Sequence, residues 1–70
     1  MNSWIKVFST FSLATASIIK GMLEENQIAV QQLNKQDSSY VIFGEIELYV
    51  PDNMKDSALH LIELAQLNED

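Results

Sequence analysis

Glu45-Ile46-Glu47-Leu48-Tyr49-Val50, closed by Pro51, decides the architecture. Ile46, Leu48 and Val50 alternate with Glu45, Glu47 and Tyr49, the period of two that a strand shows when only one of its faces is apolar. Pro51 has no amide hydrogen to give to a ladder, so the strand stops there. Upstream, Tyr40-Val41-Ile42-Phe43 is a compact apolar patch leading into Gly44, which reads as a bulge or bend, so a strand is expected over about 40–50. Downstream, Met54, Ala58, Leu61, Ile62 and Ala65 fall at i, i+4, i+7, i+8 and i+11 and predict a helix over about 53–66 with one buried stripe. Asp52 is expected to cap it, and Asp56 lies in its first turns, where the helix dipole favours negative charge.

Toward the N-terminus, Trp4-Ile5-Lys6-Val7-Phe8 is aromatic and β-branched and predicts a first strand over about 4–8, broken by Ser9 and Thr10. Ser12 is a good N-cap, its hydroxyl free to accept from the amide of Ala14 or Thr15. A helix over about 13–25 follows, with Ala16, Ile19 and Leu23 on its stripe and Ile18 and Met22 flanking it. Gly21 inside that helix costs about 1 kcal/mol relative to Ala and reads as a close packing point against the sheet. Asn26 is expected to take the left-handed conformation that ends the helix. A second strand is predicted over about 28–33, with Ile28 and Val30 alternating against Ala29 and Gln31. Asn34 to Ser39 reads as a polar turn.

The order strand, helix, strand, strand, helix predicts one domain over 1–70, an α+β two-layer sandwich. In this ferredoxin-like β-α-β-β-α arrangement, two helices cover one face of a three-stranded sheet. The third strand is expected between the other two and antiparallel to both, with a right-handed crossover joining the first two. No fourth strand is expected beside the first, which leaves that edge bare and open to pairing with another chain.

Composition narrows the function classes. The chain has ten acids against four lysines and no arginine, a net charge of −6. Nucleic acid is a poor partner for such a surface, because phosphate binding depends on clustered Lys and Arg, and an acidic membrane surface would repel it. Zero cysteines exclude a disulfide framework and thiolate metal sites and fit a reducing, cytoplasmic setting. Val7 to Ile19 follows Lys6 and contains Ala14-Thr15-Ala16, the parts of a secretory signal. Ser9, Thr10 and Ser12 interrupt that apolar run, however, and cleavage after Ala16 would leave little from which to build a core, so the stretch is read as strand and helix.

Lys20-Gly21-Met22-Leu23-Glu24 followed by Ile28, and Glu45 to Pro51 followed by Ala58-Leu59-His60-Leu61-Ile62, carry a resemblance. They resemble a bacterial family of putative signal-transducing proteins, a domain of unknown function with a ferredoxin-like fold compared to nitrogen-regulatory PII-type proteins. The similarity runs from about Trp4 to Ala65. Two features depart from the family: its turn after the first helix has glycine before the isoleucine, where this chain has Asn26-Gln27, and the Cys-rich zinc segment of some relatives is missing. The resemblance implies a signalling role and the fold, and it supplies no catalytic, cofactor or ligand residues.

Individual residues support little chemistry. The single histidine, His60, sits among Asp56 and Glu63 on the polar side of the last helix, without a second convergent ligand. Asp37, Ser38 and Ser39 are sequence neighbours and do not face each other as nucleophile and base must. Two glycines make no phosphate loop. No enzymatic activity, metal or cofactor is expected, and Glu45, Glu47, Asp52 and Asp56 are read as solvated or capping groups. The more informative features are two. If Ile46, Leu48 and Val50 point to the helices, then Trp4, Lys6, Phe8, Glu47 and Tyr49 share the uncovered face, with Lys6 near Glu47, as a candidate interface. The segment Asp37, Ser38, Ser39, Tyr40 to Gly44 is a candidate ligand loop. The leading expectation is a non-enzymatic module acting by weak homodimerisation or through a protein partner; a small-ligand sensor using the 37–44 loop is the alternative.

Overall fold

In the computed structural model, residues 3–35 and 44–67 are described. Among them the elements are β1 (Trp4–Thr10), α1 (Leu13–Glu25), β2 (Gln31–Lys35), β3 (Glu45–Pro51), a 3₁₀ turn (Asp52–Met54) and α2 (Lys55–Leu67). The sheet order is β1-β3-β2, and β3 is antiparallel to both neighbours. This is a small α+β, ferredoxin-like fold. The helices pack mainly on β1 and β3. The stripes anticipated in the sequence meet there: Ile19 and Leu23 from α1, Leu48 and Val50 from β3, and Ala58 and Ile62 from α2 form one core with Ile28. No helix of the described residues is long and apolar enough to cross a membrane.

The ends of α1 follow from local hydrogen bonding. The Thr15 amide donates to the Ser12 hydroxyl at 3.1 Å, satisfying one of the amides a helix start leaves without a partner. At the other end the left-handed residue is Gln27, at φ 67°, and not Asn26, whose φ is −96°. The Gln27 amide donates to the Glu24 carbonyl and the Ile28 amide to the Leu23 carbonyl, both at 3.0 Å. These two bonds are the Schellman pattern, and the buried Ile28 completes it by joining Leu23 in the core. Asn26 instead donates from its side chain to the Met22 carbonyl at 2.8 Å. Gly21 is also not a close packing point, since a Cβ there would meet nothing within 4 Å.

Other boundaries shift for physical reasons. Ser9 and Thr10 do not break β1, because their backbones pair with Glu47 and Ile46. The second strand occupies Gln31–Lys35, so Asn34 and Lys35 belong to the ladder and not to a turn. Ile28 precedes that strand and serves the core through the helix cap. Pro51, not Asp52, stands at the cap position of the 3₁₀ turn. That turn has no side-chain cap bond, and α2 begins only at Lys55. Asp52 contributes backbone: its amide donates to the Ser3 carbonyl at 2.8 Å and its carbonyl accepts from Lys55. The described part of the 40–50 strand expectation is β3 itself, with half-buried Gly44 just ahead of it.

A bulge lies in β1. Lys6 pairs with Tyr49 and Phe8 with Leu48, so Val7 is the extra residue. Strict alternation puts Phe8 beside Trp4 and Lys6. The inserted residue restores Phe8 to the helix-covered side, opposite Leu48, and both Val7 and Phe8 pack against the core. The expectation that Phe8 lies on the open face is thereby overturned.

Candidate functional site

The face of the sheet turned away from the helices is built by register. Along β3 the outward residues are Glu45, Glu47, Tyr49 and Pro51; on β1 Trp4, Lys6 and Ser9 lie opposite Pro51, Tyr49 and Glu47. On β2, Gln31, Leu33 and Lys35 lie opposite Tyr49, Glu47 and Glu45. Four of the five expected interface residues, Trp4, Lys6, Glu47 and Tyr49, therefore do share this face. Leu33 and Lys35 join them.

Glu47 is the centre of the face and is not solvated, being only 2% exposed. Lys6 Nζ reaches its Oε2 at 3.3 Å from one edge strand, and Lys35 Nζ reaches the same oxygen at 3.5 Å from the other. The Tyr49 hydroxyl donates to Oε1 at 2.7 Å. A buried carboxylate is tolerable only when paired and hydrogen-bonded, and this one has three partners. The lysine side chains are more than half in water along their length or nearly so, which leaves donors on each ammonium. The bond from Tyr49, with the two lysines behind it, holds the Glu47 carboxyl below its ordinary range against the opposing pull of burial. The same bond, helped by burial, raises Tyr49 above the usual phenol value.

Beside this cluster, Trp4, Gln31, Gln32, Leu33 and Tyr49 line an open depression of about 260 Å³. Trp4 is 40% exposed and Leu33 47%. The face thus offers apolar anchors next to a fixed carboxylate and two partly free ammonium groups. The sequence reading puts Lys35 in a polar turn and leaves Leu33 at the end of the expected 28–33 strand without placing it on a face. A signal was present: Gln31, Leu33 and Lys35 continue a period of two, and the lysine complements the acids of Glu45-Ile46-Glu47.

The other sequence candidates lie elsewhere. Asp37, Ser38, Ser39 and Tyr40 fall outside the described residues, and of that loop only Gly44 is placed. His60, Asp56 and Glu63 are all exposed on α2. Among the described residues no three His, Cys, Asp or Glu side chains gather as metal ligands would.

The chain belongs to a family described as putative prokaryotic signal transducing protein, whose model matches residues 4–66. No curated protein and no solved structure matches it.

Proposed function

We propose that this member of the signal-transducing family is a non-enzymatic, cytoplasmic interaction module that docks a protein partner on the open face of its sheet. The observation that carries the reading is the depression between Trp4, Leu33 and Tyr49 beside the Lys6–Glu47–Lys35 cluster. Pockets for metabolites run to about 300–1,000 Å³. The depression, at about 260 Å³, is smaller and open, and suits one anchoring side chain of a larger partner. An apolar patch bordered by polar groups is the usual layout of a protein interface, and here the Lys6–Glu47–Lys35 cluster supplies the polar border. Glu47 is poorly suited to act as a general base: two donors and a second ammonium already hold it, and its lowered pKa reduces its appetite for a proton near neutrality.

Of the two modes of association, a foreign partner is better supported than self-pairing. Edge addition at β1 meets a bulge at Val7 and a lysine at position 6, both of which discourage templated pairing. Two copies at −6 also repel. The small-ligand alternative rests on the 37–44 loop and draws no support from the depression.

The test is comparative capture from the source cell, followed by fluorescence of the purified complex. Trp4 is the only tryptophan, so its emission reports this face alone. A partner retained by the wild type, lost by Leu33→Asp, and able to shield Trp4 from acrylamide supports the proposal. Equal capture by Leu33→Asp, or a Trp4 that stays as quenchable in the complex as in the free domain, refutes it. A metabolite that raises the melting temperature, with no such partner, gives the ligand reading instead.

A further inference from the structure

The two outer strands of the sheet present different margins. β1 carries the Val7 bulge and Lys6, both of which guard an edge. β2 pairs with β3 residue for residue, from Gln31 opposite Tyr49 to Lys35 opposite Glu45, with no bulge, glycine or proline. In such a ladder every second residue turns its N–H and C=O away from the neighbouring strand. Among the described residues nothing pairs with that outer side of β2. The helices pack mainly on β1 and β3, and all five β2 residues are exposed. Lys35 is the one residue there of the kind that guards an edge, and it is drawn onto the open face by Glu47 at 3.5 Å. A regular, uncovered edge of this kind is a template for one more strand.

The backbone selects an extended occupant, and the side chains of β2 select its pattern. On the open face an added strand lies beside Gln31, Leu33 and Lys35. Leu33 is 47% exposed there, and the depression toward Trp4 has room for one apolar side chain. On the other face the added strand lies beside Gln32 and Asn34, whose side chains are exposed and bonded to each other at 3.0 Å, so polar residues suit that side. Charge does not choose the occupant, because Lys35 is paired and the other four residues of β2 are neutral. A second copy fits poorly. Antiparallel pairing of two β2 strands sets the sheets side by side and leaves the depression uncovered. Five residues a side also falls far short of the roughly 20–30 of a stable interface. We infer that β2 receives, as a fourth strand of the sheet, an extended segment of a partner protein that alternates apolar and polar residues. The inference deepens the open-face reading and rests on it for the choice of side chains, while the backbone pairing is tested separately.

The probe is a short synthetic peptide alternating leucine and threonine. It is made with the amides of either the leucines or the threonines N-methylated, so that each form has one pairing edge and stays monomeric. A third form, with every amide N-methylated, has no edge. Each is titrated into the isotopically labelled full chain, with amide exchange read by NMR and Trp4 quenching by acrylamide read in parallel. A one-edged form should protect the β2 amides that are unprotected in the free domain, and the edgeless form should bind at least about tenfold more weakly. Protection of β2 with Trp4 still quenchable supports edge addition and counts against the open-face reading. Shielding of Trp4 with no change at β2 does the reverse. Equal binding of the edgeless form, protection centred on β1, or no binding at millimolar peptide would overturn the inference. A sedimentation mass that rises with concentration, with β2 amides protected in the absence of peptide, would also overturn it by assigning the edge to a second copy.

Discussion

Gln27→Gly should stabilise this domain, and the structure sets by how much. Gln27 holds φ at 67°, a left-handed conformation in which an L side chain crowds its own carbonyl. That crowding costs about 1–2 kcal/mol. The conformation is nonetheless fixed, because the Gln27 and Ile28 amides must reach the Glu24 and Leu23 carbonyls for Ile28 to enter the core. Glycine removes the crowding but adds unfolded-state freedom worth about 0.4–1 kcal/mol, leaving a net gain of about 0.8 kcal/mol between the centres of the two ranges. For a domain of this size each kcal/mol moves the melting temperature by about 4–8 °C, so the midpoint should rise by about 3–6 °C. Thermal and urea unfolding followed by far-UV dichroism measure it, with the urea slope unchanged. Gln27→Ala is the control, since alanine keeps the Cβ and should gain nothing. The reasoning is refuted if glycine does no better than alanine.

Gly21→Ala should add about 1 kcal/mol, because the added methyl meets open space and only the helix propensity changes; a lower melting temperature would show that the position is packed after all. Leu23→Asp and Ile62→Asp should each leave the chain unfolded, as a charge without a partner in the core costs about 4 kcal/mol or more of a total near 4–10 kcal/mol, whereas exposed His60→Ala should melt like the wild type. The Glu47–Tyr49 bond should make stability depend on pH at both ends. Glu47 is depressed, so its contribution is present above the unfolded carboxyl value and lost as pH falls through the folded one. Tyr49 is raised, so its contribution is present below the unfolded phenol value and lost as pH climbs toward the folded one. Melting temperatures across pH should show both declines in the wild type and a flatter acid limb in Glu47→Gln.

What the sequence made legible was the part governed by repetition. Ile46, Leu48 and Val50 at a period of two, and Ala58 and Ile62 one helical turn apart, can be placed against each other from their spacing alone. The Ser12 cap was equally plain, because its chemistry is local. Phe8 was misplaced because a bulge is an extra residue in one strand relative to its partner, and nothing in Trp4 to Phe8 alone records that offset. Lys35 was misplaced because polar residues in a ladder look like polar residues in a turn until the opposing acid is known. Asn26 and Gln27 were interchanged for a related reason: propensity favours asparagine in the left-handed region, but the two carbonyls that must be satisfied select the residue one place further on.

All five residues of β2 are exposed on both faces, unlike those of β3. The strand is attached by its backbone ladder to β3 and by Lys35 to Glu47, with almost no apolar burial of its own. Its amides should therefore exchange with solvent deuterium through local opening, well before those that join β3 to β1, which are released only when the core itself comes apart. The molecule is in this sense a firm two-stranded platform with a hinged third plank. Gln31, Gln32 and Leu33 belong to that plank, so one wall of the depression beside Trp4 can adjust to what enters it while the wall on β1 and β3 stays fixed.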